Sequence, residues 1–385
     1  MRVGLITNLP GLEALNAQGA TDAPLDTIFA ALGGNSGNIA YVAGTRRILA
    51  NTILIIDWST PDEVVKAGCD AVVIACANQL GAHADLTDWA VKLERLNLPV
   101  VLIGLGAQAD SKDSSVALTQ GTRRFLDVVQ TLRPNPRIPN IALRGEFSRS
   151  VLEAHGGHGV ALSCPSLFLN FDPTLGAQIG ATARRKVGCG FTFAVGNPFL
   201  TSSVAAEVTL SALARACGAR CVVQHPWEMV ALATGNAHLL PEVKVEFIRE
   251  RMLPRQTTTD FLAWARAFWD LHLDIPSWIA AMRSTGRAVG ARYHGVALGA
   301  QAGIPACVVA IDARTLELAE TGCMPHVGVR QAADLADIHA VDDMWTPEHG
   351  ARFDAHRADL AGRLSEFLYA QNLTPSENLK ALARA

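Results

Sequence analysis

Residues 288–311 read AVGARYHGVALGAQAGIPACVVAI, and this stretch decides the fold class. Two short apolar runs, Ala288–Ala291 and Ala306–Ile311, have the length of buried strands and enclose a segment rich in small residues. A strand, a helix and a second strand in this order pair the two strands in parallel. Glycine and alanine along the helix let it pack closely on the sheet. The stretch therefore predicts an α/β fold built on parallel strands.

The same alternation of short apolar runs and longer helical patterns extends in both directions along the chain. Further strands are expected at Arg2–Thr7, Thr52–Asp57, Ala71–Ala75, Val100–Gly104, Ile141–Leu143, Val187–Ala194 and Arg220–Gln224. Helical patterns lie between them, and Ser114–Leu132, Thr259–Leu271 and Pro347–Ala370 are three of these. Such an alternation predicts parallel sheets covered by helices.

The length of 385 residues exceeds what one core usually holds, which favours two domains. We expect a Rossmann-like N-terminal domain over residues 1–170, a linker over 171–186, a Rossmann-like C-terminal domain over 187–345 and closing helices over 346–385. The linker is expected because prolines and glycines there break both the helical and the strand periodicity. Two such domains face each other across a cleft, with ligands at the carboxyl ends of the strands.

Composition excludes several classes of protein. The hydrophobic share of 49% and the charged share of 18% are ordinary for a globular chain, and the net charge of −3 comes without a basic block that would indicate nucleic acid. No apolar run reaches the roughly 20 residues that span a bilayer, and the N-terminus lacks a signal-peptide pattern, so we expect a cytoplasmic protein. The eight cysteines include no CxxC pair and are expected to be buried apolar residues, so no metal is expected.

The turn between strand and helix in the opening stretch carries Arg292 and His294. Because the helix is expected to begin near Gly295, both side chains lie beside free helix N–H groups and the positive end of the helix dipole, a position that binds anions. Arginine offers a fork for carboxylate or phosphate, and histidine moves protons near neutral pH. Arg292 and His294 are therefore catalytic candidates, and Gly295 is a binding candidate. The alternative is a plain turn with a solvated arginine and a capping histidine.

A glycine-rich loop occurs near the N-terminus, where residues 33–44 read GGNSGNIAYVAG. Glycines and amide side chains that lead into a helix suit a loop wrapped around a polar ligand. The binding candidates in this loop are Asn35, Ser36, Gly37 and Asn38. The alternative is a turn with an asparagine cap. The glycine patterns of dinucleotide-binding and ATP-binding loops are absent from the sequence.

Three further strand ends carry polar side chains that are candidates for substrate binding. Arg144 either faces the cleft or starts a helix in solvent. Gln224 and Glu228 belong to the run QHPWE, which sets polar groups beside an aromatic ring and suits either a sugar or a structural turn. Asp312 and Arg314 form an ion pair or contact a ligand. The GxSxG and HExxH patterns of common hydrolases are missing.

Five segments stand in an order that is typical of a known family. They are Gly34–Asn38, Ala142–Ser148, Ser163–Phe168, Arg292–Gly295 with Ala302–Pro305, and Ala310–Arg314. In this order they resemble the polysaccharide pyruvyl transferase family, and the resemblance spans nearly the whole chain. The Arg-x-His-Gly and Gly-x-Pro element is its most specific part.

The resemblance implies a fold similar to the two-domain GT-B glycosyltransferases, with the acceptor on the first domain, the donor on the second, and the closing helices packed back on the first domain. It also implies transfer of the enolpyruvyl unit of phosphoenolpyruvate to a sugar as a pyruvate ketal, with release of phosphate and no cofactor. Arg292 would then hold the carboxylate or phosphate of the donor. His294 would act as a general acid or contact the donor near the enol carbon.

The sequence departs from the family pattern in two places. Asn38 stands where many relatives carry an acidic residue, so we assign it no acid–base role. Tyr293 replaces an aliphatic residue and either packs inward or presents its hydroxyl to the ligand. Glu228 is a candidate for the base that activates the acceptor on chemical grounds alone.

Two other functions remain open at this point. A GT-B glycosyltransferase would bind a nucleotide sugar such as a UDP or GDP derivative, and Asp312 or Glu317 would have to serve as its ribose-binding acid. A non-catalytic glycan or anion binder would keep Arg292 and His294 without turnover. A lipid-linked acceptor would bring the protein to a membrane surface, although no basic amphipathic helix is evident. The acceptor sugar and the oligomeric state are not determined by the sequence.

Overall fold

The computed structural model describes residues 1–9, 11–18, 23–185 and 188–385. Its first parallel sheet has six strands: β1 Arg2–Ile6, β2 Thr52–Ile56, β3 Ala71–Ala75, β4 Val100–Leu105, β5 Ile141–Leu143 and β6 Val160–Ala161. They lie in the order β2-β1-β3-β4-β5-β6. The helices of this half are α1 Leu12–Gln18, α2 Leu25–Ala31, α3 Asn38–Ile48, α4 Asp62–Gly68, α5 Thr87–Leu96, α6 Gln120–Thr131 and α7 Glu146–Ala154.

A second six-stranded parallel sheet follows after α8, which spans Leu175–Ala183. Its strands are β7 Thr192–Ala194, β8 Arg220–Val222, β9 Trp269–Asp270, β10 Ala288–Gly290, β11 Ala306–Ala310 and β12 His326–Gly328. Their order is β12-β11-β10-β7-β8-β9, the doubly wound order of a Rossmann sheet. The helices are α9 Val204–Cys217, α10 Trp227–Ala233, α11 Glu242–Met252, α12 Thr258–Phe268, α13 Ile275–Thr285, α14 Tyr293–Gln301, α15 Ala313–Thr321, α16 Ala340–Asp343, α17 Pro347–Ala370 and α18 Glu377–Leu382.

Burial on both faces explains why the central strands are apolar throughout. Every residue of β3 and β4 is buried, so neither strand needs a polar face. In the second sheet, α14 lies so close to β10 that a Cβ on Gly299 would come within 2.5 Å of the Cβ of Ala288. The small residues of this helix therefore allow the close packing that the sequence predicts.

Carboxyl-end loops of the two sheets meet across a cleft, which gives the molecule a GT-B-like architecture of two Rossmann-like domains. Gln108 Nε2 donates to Asp312 Oδ2 at 3.1 Å, and both side chains follow strand ends. A buried carboxylate, that of Glu317, accepts from the backbone N–H and the hydroxyl of Ser148 at 2.6 and 2.7 Å. The prediction of an α/β fold with two facing domains is confirmed.

The end of the chain returns to the first sheet. After α17, the backbone N–H of Ser376 donates to the carbonyl of Ile48 at 2.8 Å, and that of Ala50 donates to the carbonyl of Thr374 at 2.8 Å. Leu379 of α18 is fully buried. The segment between α17 and α18 therefore lies against the end of α3.

The segment expected as a linker contains the regular helix α8, so the expected break in periodicity was wrong. Residues 186 and 187 lie outside the described residues, and the rest of the segment is ordered around this helix. The glycine at position 176 marks a contact, since a Cβ there would lie 2.2 Å from the carbonyl oxygen of Gly350 in α17. Leu175 and Ile179 of the same helix are fully buried.

Several element boundaries also differ from the sequence prediction. The helix expected over Thr259–Leu271 ends at Phe268, because Trp269 and Asp270 pair with β8 as the edge strand β9. The helix expected over Ser114–Leu132 begins only at Gln120, after the cap residue Thr119. The strand expected over Val187–Ala194 begins at Thr192, and residue 187 is not among the described residues.

Among the residues that the structure describes, no helix is both long and apolar enough to cross a membrane.

Candidate functional site

The strands β7 and β10 are neighbours at the point where the order of the second sheet reverses. In doubly wound sheets, ligands bind outside the carboxyl ends of the strands at such a point. β10 ends at Gly290, and α14 begins at Tyr293 with Arg292 as its N-cap residue. The helix thus begins two residues earlier than expected, and His294 lies in its first turn. Both predicted catalytic candidates therefore lie at the switch point.

The guanidinium of Arg292 is held by a backbone carbonyl and by no carboxylate within ion-pair distance among the described residues. Its Nη2 donates to the carbonyl of His225 at 3.0 Å, while its Nε is buried without a partner. Burial lowers the pKa of Arg292 to about 10, and the neighbouring Arg314 contributes to the lowering. Arg292 therefore stays charged at neutral pH and keeps a free donor, which suits an anionic ligand.

His294 is uncharged in the free site at neutral pH. Burial lowers the pKa of its imidazole well below 6.5, and the charges of Arg144 and Arg314 lower it further. Its Nε2 lies 3.5 Å from Sγ of Cys164. The other ring nitrogen, Nδ1, faces the glycine loop, since a Cβ on Gly37 would lie 3.2 Å from it.

The glycine loop of the first domain reaches the second domain at Gln224. The backbone N–H of Ser36 donates to the Gln224 carbonyl at 3.2 Å. The Gln224 side-chain amide lies between two glycines: a Cβ on Gly37 would come within 2.4 Å of its Oε1, and a Cβ on Gly295 within 2.5 Å of its Nε2. That Nε2 is buried and has no partner. The fold thus brings together four predicted residues from three segments.

The two asparagines of the loop hold its backbone. Asn35 Oδ1 accepts from the Gly37 N–H at 2.9 Å. Asn38 Nδ2 donates to the carbonyls of Leu32 and Gly33 at 2.9 and 3.3 Å. The amide of Asn38 is therefore engaged within the turn, as in the alternative that treats these residues as caps.

Arg144 is buried at the carboxyl end of β5, with 2% of its surface exposed, so a helix start in solvent is excluded. Its Nε donates to the carbonyl of Gly104 at 2.9 Å and its Nη2 to that of Cys76 at 3.3 Å. The guanidinium carbon lies 5.5 Å from the centre of the Tyr41 ring, and that ring lies 5.8 Å from the ring of His294. Arg144 therefore contributes a positive charge next to the histidine.

Asp312 and Arg314 form an ion pair at the start of α15. Asp312 caps α15 by accepting from the Thr315 N–H at 2.7 Å, and its Oδ2 lies 3.4 Å from Nη2 of Arg314. Burial would raise the pKa of Asp312, but Arg314 and the hydrogen bonds from Thr315 and Gln108 lower it. The Nε of Arg314 is buried without a partner, so this third arginine also keeps a free donor.

The carboxylate of Glu228 contacts a lysine on the neighbouring helix. Its carboxylate pairs with Nζ of Lys244 at 3.3 Å, which connects α10 with α11. The structure does not place this carboxylate in hydrogen-bond contact with the glycine loop or with Arg292 among the described residues.

The sequence model of the polysaccharide pyruvyl transferase family matches residues 35–313, more than two thirds of the chain. The match begins at Asn35 of the glycine loop and ends at Ala313, where α15 starts. The chain belongs to the polysaccharide pyruvyl transferase family. A search of curated proteins finds no match to this sequence.

Solved structures with a similar fold share little sequence with this pyruvyl transferase family member. HepE of Anabaena, crystallised with UDP-glucose, is 11% identical over 100% of both chains, with a TM-score of 0.47. MnaA of S. aureus, whose structure contains UDP, is 9% identical over 97% of this chain and 99% of its own, with a TM-score of 0.48. A putative UDP-N-acetylglucosamine 2-epimerase from Listeria monocytogenes is 11% identical over 95% of this chain and 96% of its own, with a TM-score of 0.45.

Sequence reasoning missed three residues at the site of this family member. Tyr41 lies against both Arg144 and His294, and a tyrosine three residues into a helix after a glycine loop could have indicated it. Cys164 lies within a segment that carried the family resemblance. Glu207 lies inside α9 and is 1% exposed, and no motif in the sequence around it indicates a site.

Two further features bear on ligands. Among the described residues, no three His, Cys, Asp or Glu side chains come together as a metal site would require. A cavity of about 630 Å³ lies between α1, α3 and α13. Its lining is mainly apolar, and the described residues that form it include none of the predicted site residues.

Proposed function

We propose that this protein transfers the pyruvyl group of phosphoenolpyruvate to a sugar of a polysaccharide or its precursor, forming a ketal and releasing phosphate. The observation that carries the proposal is the set of three arginines around His294. Arg144 and Arg292 form no ion pair with a described carboxylate, and Arg292 and Arg314 each keep a buried Nε without a partner. Family membership supports the same reaction.

The charges of the site match those of the donor. Phosphoenolpyruvate carries a carboxylate and a phosphate group with a charge of about −1.5 to −2, which three guanidiniums and the start of α14 would stabilise. The bound anion would also change His294. It would offset the arginines that lower the pKa of the imidazole, so that pKa would rise and the ring could carry a proton in the complex.

The reaction needs no oxidant and no net proton. Two sugar hydroxyls form bonds to the central enol carbon, and the bond from that carbon to the phosphate oxygen breaks. One hydroxyl proton ends on the terminal enol carbon, which becomes a methyl group, and the other leaves with the phosphate. His294 is proposed to carry a proton to the terminal carbon through Nδ1, a step for which a positioned acid is typically worth about 10²–10⁴-fold.

Titration calorimetry with phosphoenolpyruvate tests the donor site, with UDP and GDP as the comparison ligands. The wild type is expected to bind phosphoenolpyruvate, and Arg292→Gln to weaken this binding by at least about tenfold through loss of a buried charged contact. Arg123→Gln removes the same charge from an exposed position on α6 and should bind as the wild type does. Binding of UDP without phosphoenolpyruvate would instead favour a glycosyltransferase.

Phosphate release in the presence of a panel of sugar diols tests the chemistry. His294→Gln is expected to retain donor binding and its melting temperature while turnover falls by about 100-fold or more. Turnover near the wild-type rate in this variant would contradict the role of His294. A binder without catalysis would release no phosphate with any acceptor.

A cytoplasmic location is part of the proposal.

A further inference from the structure

We propose that Glu207 is the counter-ion of Arg292: a positioning residue whose charge sets how strongly the site binds anions. The inference rests on the proposed function only for the identity of the donor. The anion site itself can be tested without it.

The carboxyl group of Glu207 lies beside the carboxyl ends of β7 and β10, where the order of the second sheet reverses. It comes from α9 and is 1% exposed. Its Oε2 accepts from the backbone N–H of Gly196, which follows β7, at 3.0 Å. A Cβ on Gly196 would lie 2.0 Å from Oε1 of Glu207 and 3.3 Å from the Cβ of Ala291, the residue before Arg292. The carboxyl group therefore occupies the space between the ends of β7 and β10.

Two unpartnered atoms in this region have complementary chemistry. Oε1 of Glu207 is a buried acceptor without a donor, and Nε of Arg292 is a buried donor without an acceptor. Leaving such groups unpaired is costly, so an ionised Glu207 draws the guanidinium toward α9. A bound anion competes for the same guanidinium. Protonation of Glu207 removes this competition and leaves the arginine to the ligand.

Glu207 changes its charge in a pH range where its neighbours do not. Burial raises the pKa of Glu207 to about 7, while the Gly196 N–H and the Arg292 charge lower it. Cys221 of β8 also faces Glu207, and burial raises the pKa of its thiol well above the usual value. Arg292, with a pKa of about 10, stays charged. Above pH 7 the site therefore gains a negative charge, and anion binding should weaken.

The two histidines of the site are neutral in the free protein near pH 7, because burial lowers the pKa of both His225 and His294 below 6.5. A proton that His294 takes up together with the anion is measured separately with His294→Gln, which should keep the pH dependence that Glu207 causes. Glu317 is a second buried carboxyl with a raised pKa, caused by burial, but it faces Ser148 and Arg144. The variant Glu317→Gln measures how much Glu317 contributes to the pH dependence of anion binding.

Sulfate is the probe, because its charge is constant between about pH 6 and pH 8.5 while Glu207 titrates. Calorimetry of the wild type should give sulfate binding roughly tenfold weaker at the higher pH, the size expected for one nearby charge. Glu207→Gln keeps an oxygen for the Gly196 N–H and should bind sulfate at both pH values as tightly as the wild type does at the lower one. Glu63→Gln, an exposed substitution on α4, should behave as the wild type.

Proton uptake measures the same linkage in the wild type, without relying on a variant that folds. Near pH 7, sulfate binding should take up a fraction of a proton, seen as a dependence of the binding heat on the buffer. Equal pH dependence in the wild type and Glu207→Gln, absence of proton uptake, or absence of sulfate binding would each overturn the inference. Sulfate binding that depends on Glu207, without binding of phosphoenolpyruvate, would contradict only the proposed function.

Discussion

The side-chain amide of Gln224 is held between two residues that have no Cβ. Gly37 lies on the Oε1 side and Gly295 on the Nε2 side, and the glutamine is 2% exposed. Because the amide is confined on both sides, a Cβ on either glycine forces it out of its present position. Its Nε2 has no hydrogen-bond partner in the protein, so a ligand in the cleft would depend on the position of this donor.

Substitution of Gly37 by alanine should therefore reduce function more than stability. Gly37 has a φ of −60°, which alanine adopts without strain, so the cost comes from the new Cβ at 2.4 Å from Gln224 Oε1. We expect at least about tenfold weaker binding of phosphoenolpyruvate, equivalent to about 1.4 kcal/mol, with a small change in the urea midpoint. Calorimetry and urea unfolding measure the two effects. Recovery of binding in Gly37→Ala/Gln224→Ala would show that the amide itself is dispensable.

The sequence predicts the site residues that follow a strand. It misses those that lie inside a helix and reach the site only through tertiary packing. Arg292 and His294 follow a strand, so their place in the fold can be inferred from the βα pattern. Glu207 lies inside a helix, and only the packing of α9 against the ends of β7 and β10 brings its carboxyl group to the site. Such a contact depends on tertiary structure and leaves no local pattern.

The helices α8 and α17 cross at two glycines. A Cβ on Gly350 would lie 2.5 Å from the carbonyl oxygen of Gly176, and a Cβ on Gly176 would lie 2.2 Å from that of Gly350. The obstructing atoms belong to the backbone, which cannot rotate away as a side chain can. Gly176, together with Pro173 and Gly180, weakens the helical pattern of the segment, which is why the sequence indicated a linker where α8 lies. Very short edge strands cannot be predicted from the sequence either. β9 has two residues, which is too few for the alternating pattern of a strand to be recognised.

Two glycine substitutions in α17 should consequently have opposite effects on stability. Gly350→Ala forces the helices apart and should lower the free energy of unfolding by about 1–3 kcal/mol. Gly362→Ala, in the same helix, meets no atom nearer than 3.9 Å and should raise it by about 0.5–1 kcal/mol through helix propensity. Urea unfolding of both variants measures the difference. A stabilising effect of Gly350→Ala would contradict the close crossing.

One of the three apolar clusters formed by the described residues spans both sheets of the molecule. The cluster that contains Val3 and Val101 of the first sheet also contains Ala288 and Val308 of the second. The fully buried Leu379 of α18 belongs to it as well. Two sheets that share a core and are joined by the Ser148–Glu317 contact are expected to unfold together, even though the chain length favours two domains.

Scanning calorimetry should therefore show one unfolding transition, with a calorimetric enthalpy close to the van't Hoff value. Leu379→Ala removes a fully buried side chain from α18, which packs on α17, and it should cost about 2–5 kcal/mol while shifting the entire transition to lower temperature. Leu239→Ala is the matched control, since Leu239 is 49% exposed and its truncation should change stability by less than about 0.5 kcal/mol. If Leu379→Ala instead splits off a separate early transition, the two domains are independent folding units, and the cleft that holds Arg292 and Gln224 is free to open without loss of either core.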